Sequence, residues 1–247
     1  VHHGVRRGEV NDNLGSGLHR AAILAGVLLK MGTYGFVRVV MSMQPETFAR
    51  FAFPIGVLAV VSIIYGSLVA MAQTNLKRLI AYTSVNHMGY VMLGLVAHGL
   101  ITGSLFLVSG SILTRGGTYE MEDYGGLAAR APALTGITVV AAFASLGLPG
   151  LAGFVAEFHV FAGALAIYPW LAGIGLLGIV ITAALFLRML QQVFLGPLSE
   201  RWTGWPDLGW IERLTLGALV VLVIAIGVAP AFVLNLIDSF AGPFVGR

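Results

Sequence analysis

The 247-residue chain is 57% hydrophobic and only 10% charged, with a formal net charge of +3 and no cysteine. Soluble domains carry about 25% charged residues, so this composition excludes a water-soluble fold and leaves an integral membrane protein. The absence of cysteine excludes disulfides, thiolate metal sites and iron–sulfur ligands, and arginines at the ends of apolar runs are an orientation signal, not a nucleic-acid surface.

Residues 1–19 form a polar N-terminal segment, and residues 20–240 are expected to form one all-α transmembrane domain, a helix bundle of about seven spans in a lipid bilayer. No cleavable signal peptide is expected, because the first apolar run is too long for one. A start at Val1 points to a fragment or an unusual start. Runs of spanning length fall at about 20–41, 52–73, 133–165, 168–195 and 213–237.

The apolar segment 79–114 is harder to place. As one helix it would be about 54 Å long, against a bilayer core of about 30 Å. The alternative is two short spans with a turn near "GLVAHG". Cytoplasmic loops are enriched in Lys and Arg. With two crossings, one side holds Arg6, Arg7, Arg20, Lys77, Arg78, Arg115, Arg130, Arg201 and Arg213, and the other only Arg38, Arg50 and Arg247. A single crossing nearly erases this bias, so two crossings or a re-entrant pair are expected.

Within 133–165, "SLGLPGLAGF" places Pro149 among Gly147, Gly150 and Gly153. Proline removes a donor and clashes with the preceding turn, and glycine weakens a helix. A span broken around 147–151 is therefore expected. Freed backbone at membrane depth is tolerated only against protein or a water-filled cavity, and such breaks often mark ion pathways in transporters.

Four ionisable residues fall deep in these runs: Lys30, His87, His98 and Glu157. Arg38 and Arg188 lie nearer helix ends, where an arginine snorkels to the interface. Each histidine alone is explained as well by a hydrogen bond to a neighbour. Together the four suit a proton relay, since burial brings lysine and carboxyl groups in general towards titration near neutral pH and histidine titrates there already. Two histidines and a carboxylate at no local ligand spacing make a metal site the weaker reading. Thr33, Tyr34, Thr83, Ser84, Asn86 and Ser104 are candidates to hold water between these groups, or equally to bond between helices. No phosphate loop, nucleophile–base pair or redox site is recognisable.

The motifs "LAGVLLKMGTYGFVR", "IIYGSLVAMAQTNLKRLIAYTSVNHMGYVMLG", "AHGLITGSLFLV", "YGGLAARAPAL" and "ASLGLPGLAGFVAEF" resemble, in this order, the antiporter-like subunit M family of proton-translocating NADH–quinone oxidoreductase (respiratory complex I), the mitochondrial subunit 4 type. The resemblance runs from about residue 21 to the C-terminus and implies roughly the second half of a fourteen-helix fold. By resemblance, Lys30 matches the central lysine of the family's eighth helix, and His87 and His98 match histidines of the tenth and eleventh. Glu157 matches the acidic residue after the break in the twelfth. The family's relay carries protons along a hydrated axis, driven by quinone reduction elsewhere. No cofactor is then expected on this chain; NADH, FMN, iron–sulfur clusters and quinone belong to partner subunits.

The implied partners are other complex I membrane subunits, especially neighbouring antiporter-like ones, in the bacterial inner (plasma) membrane. The chain departs from the family in three ways. The fifth- and seventh-helix glutamate and lysine are absent, residues 1–20 do not match the family's preceding region, and about four turns are deleted around "GLVAHGL". The alternatives are a subunit of a Na⁺/H⁺ antiporter or membrane-bound hydrogenase, or a non-pumping truncated relic.

Overall fold

A helix satisfies its backbone within one segment, which is what a bilayer demands of any spanning element. In the computed structural model, which describes residues 31, 32, 35, 45–87, 93–232 and 235, the long apolar runs are accordingly helical. The α-helices are α1 (Pro45–Met71), α2 (Leu76–His87), α3 (Leu93–Gly116), α4 (Pro132–Ser145), α5 (Ala152–Ile167), α6 (Pro169–Val193) and α7 (Trp210–Val228). Among the described residues there is no strand, only an isolated bridge between Asn75 and Glu120. The expected all-α membrane bundle is what forms. Arg50–Met71, α6 and α7 are each long and apolar enough to cross a membrane.

Helix α3 is the central element, packed against α2, α4, α5 and α7, while α6 joins α1 to α5. Leu105, Val108 and Ile112 of α3 are buried with Leu134, Phe186, Met189 and Leu216 from other helices. The outer faces stay apolar: Leu58, Val180 and Val221 are 67%, 66% and 64% exposed. Such faces suit a lipid surround.

One end of the bundle is a bonded polar layer. Leu76 N–H donates to Tyr119 O at 2.9 Å, Met121 N–H to Thr74 O at 2.9 Å, Ala128 N–H to Phe194 O at 3.0 Å, and Trp202 Nε1 to Asp123 O at 2.8 Å. Lys77, Arg78, Arg115, Arg130, Arg188, Arg201 and Arg213 lie in or next to this layer, and Arg50 sits near the opposite end of α1. The start of α2 and the end of α3 are both tied here, so the chain leaves this end and returns to it within 76–116. That is the re-entrant geometry the arginine bias asked for.

The turn expected near "GLVAHG" is not there. Residues 94–99 lie inside α3, which begins at Leu93. Glycine costs a helix about 1 kcal/mol, which contacts of α3 with four neighbours offset. The two helices are therefore unequal: α2 has 12 residues and α3 has 24, about 18 and 36 Å.

Candidate functional site

The expected broken span is found: α4 stops at Ser145 and α5 starts at Ala152. The local sequence accounts for it bond by bond. Gly147 adopts φ +66°, and its N–H donates to Ala144 O at 3.3 Å while Leu148 N–H donates to Phe143 O at 3.1 Å. This is the Schellman arrangement, which closes a helix on a left-handed residue where glycine pays no Cβ penalty. Leu148-Pro149-Gly150-Leu151 follows as a tight turn, with Gly150 at φ +91° and Leu151 N–H on Leu148 O at 3.1 Å. Proline second and a positive-φ glycine third are the signature of a type II turn.

Glu157, in the second turn of α5, reaches back to this break. Its carboxyl oxygen occupies the space that a side chain on Gly147 would fill. The C-terminal end of α7 closes the break from another side, where Gly227 meets the backbone of Gly150 and Leu151. A carboxyl group thus sits on discontinuous backbone among three helices. Among the described residues no hydrogen bond or ion pair is found for it.

His98 is buried on α3, the helix that packs against both α4 and α5. The Thr102 hydroxyl, one turn on, lies 3.0 Å from its Nε2 and 3.2 Å from its Nδ1. At about 1.5 Å per residue, His98 is about 27 Å from Gly116 and the break about 21 Å from Pro132. Both reference ends belong to the arginine-bearing layer, so the two groups differ in depth by about one helical turn. His87 ends α2, with its side chain outside the described residues, and Lys30 lies outside them entirely. His98 and Glu157 therefore share a packed region of the bundle.

Thr83 and Ser104 donate to carbonyls of their own helices, Ile80 O and Leu100 O, both at 2.7 Å. Their hydroxyl protons are thereby committed to backbone. The side chains of Thr33, Tyr34, Ser84 and Asn86 lie outside the described residues. Sequence reasoning passed over Thr102, whose i+4 spacing from His98 was the available signal. It also passed over a polar clamp at the arginine-bearing end. Arg115 Nη1 donates to Glu212 Oε1 at 3.0 Å, Nη2 bonds Glu212 Oε2, and Nε donates to Pro206 O at 3.1 Å. Ser111 Oγ adds 2.8 Å to Glu212 Oε1, joining α3 to α7.

Asp207 binds the same layer to α4, accepting from the N–H groups of Ala133, Leu134 and Leu208 at 3.1, 3.2 and 2.8 Å. Burial pushes its pKa up, but these donors and Arg213 together outweigh it and hold the carboxyl below its ordinary value. No group of three or more metal-ligating side chains occurs among the described residues.

Residues 12–182 match the family described as "NADH:quinone oxidoreductase/Mrp antiporter, TM". The chain is 36% identical over 231 residues to NADH-quinone oxidoreductase subunit M of Rickettsia bellii, an alignment covering 87% of this chain and 47% of the relative. A chain of the respiratory complex I structure from Thermus thermophilus with bound NADH matches with a TM-score of 0.77 at 35% identity, over 83% of this chain and 46% of that one. The Mrp complex structure from Dietzia sp. matches at 0.80 over 87% of this chain and 51% of that one, and its 20% identity speaks to the fold alone. The chain spans about half the length of the curated relatives it matches.

Proposed function

The chain belongs to the NADH:quinone oxidoreductase/Mrp antiporter transmembrane family, and from that membership we propose that it serves as an antiporter-like, proton-translocating membrane subunit of NADH–quinone oxidoreductase (complex I). It is an integral protein of the bacterial plasma membrane, in keeping with its spanning helices and bacterial relatives. Its partners are the other membrane subunits, neighbouring antiporter-like ones above all. Electron transfer from NADH through FMN and iron–sulfur clusters to quinone belongs to those partner subunits.

The relay is Lys30, His87, His98 and Glu157. The observation that carries it is the carboxyl of Glu157 on left-handed Gly147, at a backbone discontinuity near the depth of buried His98. Among the described residues that carboxyl group has no ion-pair partner, so it can take up or release a proton there, and Thr102 offers His98 a hydroxyl that both donates and accepts. Lys30 and His87, which precede α3 in the sequence, complete the proposed set. Moving one proton against 100 mV costs about 2.3 kcal/mol, which this chain, with no redox group of its own, draws from its neighbours.

The test is Glu157→Gln in the assembled complex, in inside-out vesicles. NADH oxidation is expected to continue while proton uptake per NADH falls, and Lys30→Ala is expected to act alike. Unchanged uptake in both variants would refute the relay. If uptake responds to Na⁺ instead, the chain belongs with cation/proton antiporters. A normal ratio without this chain would make it a non-pumping relic.

A further inference from the structure

The relay makes no use of Arg188, a charged residue on the outer face of a spanning helix. Arg188 lies five residues before the end of α6 at Val193, about 7 Å below it. Its Nη1 donates to Met71 O, the last residue of α1, at 2.9 Å. Among the described residues that carbonyl is the acceptor it has, which leaves four of the five guanidinium N–H groups directed elsewhere. Its surroundings are the boundary a lipid would meet: Leu68 of α1, on the same side of the seam, is 54% exposed. Deeper along the same side of the two helices, Val61 and Leu177 are also exposed. The helices are pinned together between these strips by Ser67 and Thr182, whose hydroxyls are 3.4 Å apart.

We propose that the α1–α6 groove at the arginine-bearing end binds an anionic phospholipid, with Arg188 holding the headgroup phosphate and the acyl chains lying along Leu68, Val61 and Leu177. Three facts converge on this ligand. A guanidinium fixed by a helix-end carbonyl presents a planar fork that matches phosphate oxygens. The site lies at the end of the bundle that carries the lysines and arginines, the end that the positive-inside rule assigns to the anionic cytoplasmic leaflet. Apolar exposed strips continue from the arginine towards the bilayer centre, as diacyl chains require and free phosphate does not.

The test is retention of phosphatidylglycerol, measured by native mass spectrometry on the assembled complex extracted from vesicles of phosphatidylglycerol and phosphatidylcholine. Wild type is expected to retain phosphatidylglycerol, and Arg188→Leu to retain at least about tenfold less. Arg188→Lys, which keeps the charge and loses the fork, is expected to fall between them; it also serves if the leucine variant does not assemble. Arg201→Leu, an exposed arginine over the Trp202 ring at the same end, is expected to leave retention unchanged. The proposal falls if neither Arg188 variant loses lipid, or if Arg201→Leu loses as much. Displacement of the lipid by inorganic phosphate alone, or cross-linking of position 188 to a neighbouring subunit's carboxylate in place of lipid, overturns it as well.

Discussion

Gly147→Ala separates two roles of one glycine. A non-glycine residue at φ +66° costs about 1–2 kcal/mol in backbone strain. The added methyl also enters the space of the Glu157 carboxyl, and such overpacking costs about 1–3 kcal/mol more. Gly150→Ala supplies the control, because Gly150 also has a positive φ, +91°, but no atom within 4 Å of the added methyl. Gly147→Ala should therefore lower unfolding free energy in micelles by about 2–5 kcal/mol, and Gly150→Ala by about 1–2 kcal/mol. In a Glu157→Ala background the Gly147→Ala loss should shrink to that of Gly150→Ala. Equal losses for both glycine variants in both backgrounds would refute the placement of the carboxyl on the break. In vesicles, Gly147→Ala should lower proton uptake while NADH oxidation continues.

Further outcomes follow from the clamp and from α7. Glu212→Gln leaves the Arg115 guanidinium partly unpaired and should cost about 1–2 kcal/mol, towards the low end because 35% of the Glu212 side chain is exposed; no loss in chemical unfolding would show the clamp to be idle. Asp207 has its folded pKa held below its unfolded one, so its contribution is full above the unfolded value of about 3.9 and is lost as pH falls through the folded one. Wild type should lose stability on acidification below about pH 4 and Asp207→Asn should lose less; parallel pH curves would count against it. Gly227→Ala should destabilise by about 1–3 kcal/mol, because its methyl meets the backbone of the break. Gly217→Ala, with open space around it, should be neutral or slightly stabilising in the same melts. Equal effects would mean that α7 does not seat the break.

Much of the architecture was legible in one dimension because its causes are local. Apolar length specifies spans. A left-handed glycine with a proline two residues later ends α4, since Gly147 and Pro149 act on their own dihedrals and their own N–H groups. The arginine asymmetry survived because it depends only on which end each loop occupies. The same reasoning misplaced the turn at "GLVAHG", where two glycines suggested weakness and tertiary contacts around α3 overrode it. It also left Arg188 as an interfacial anchor, without the Met71 carbonyl it reaches across 117 positions.

From its residues alone, then, the sequence determined an all-α membrane chain and the break at Pro149. Only the tertiary structure decided that Glu157 folds back onto Gly147, that Arg115 is committed to Glu212 and that α7 closes the break. The physical reason is that a bilayer forces each helix to satisfy its own backbone, which residues record locally. Charged and polar side chains instead find partners on other helices, 97 residues away for Arg115 and Glu212, and no periodicity records that distance.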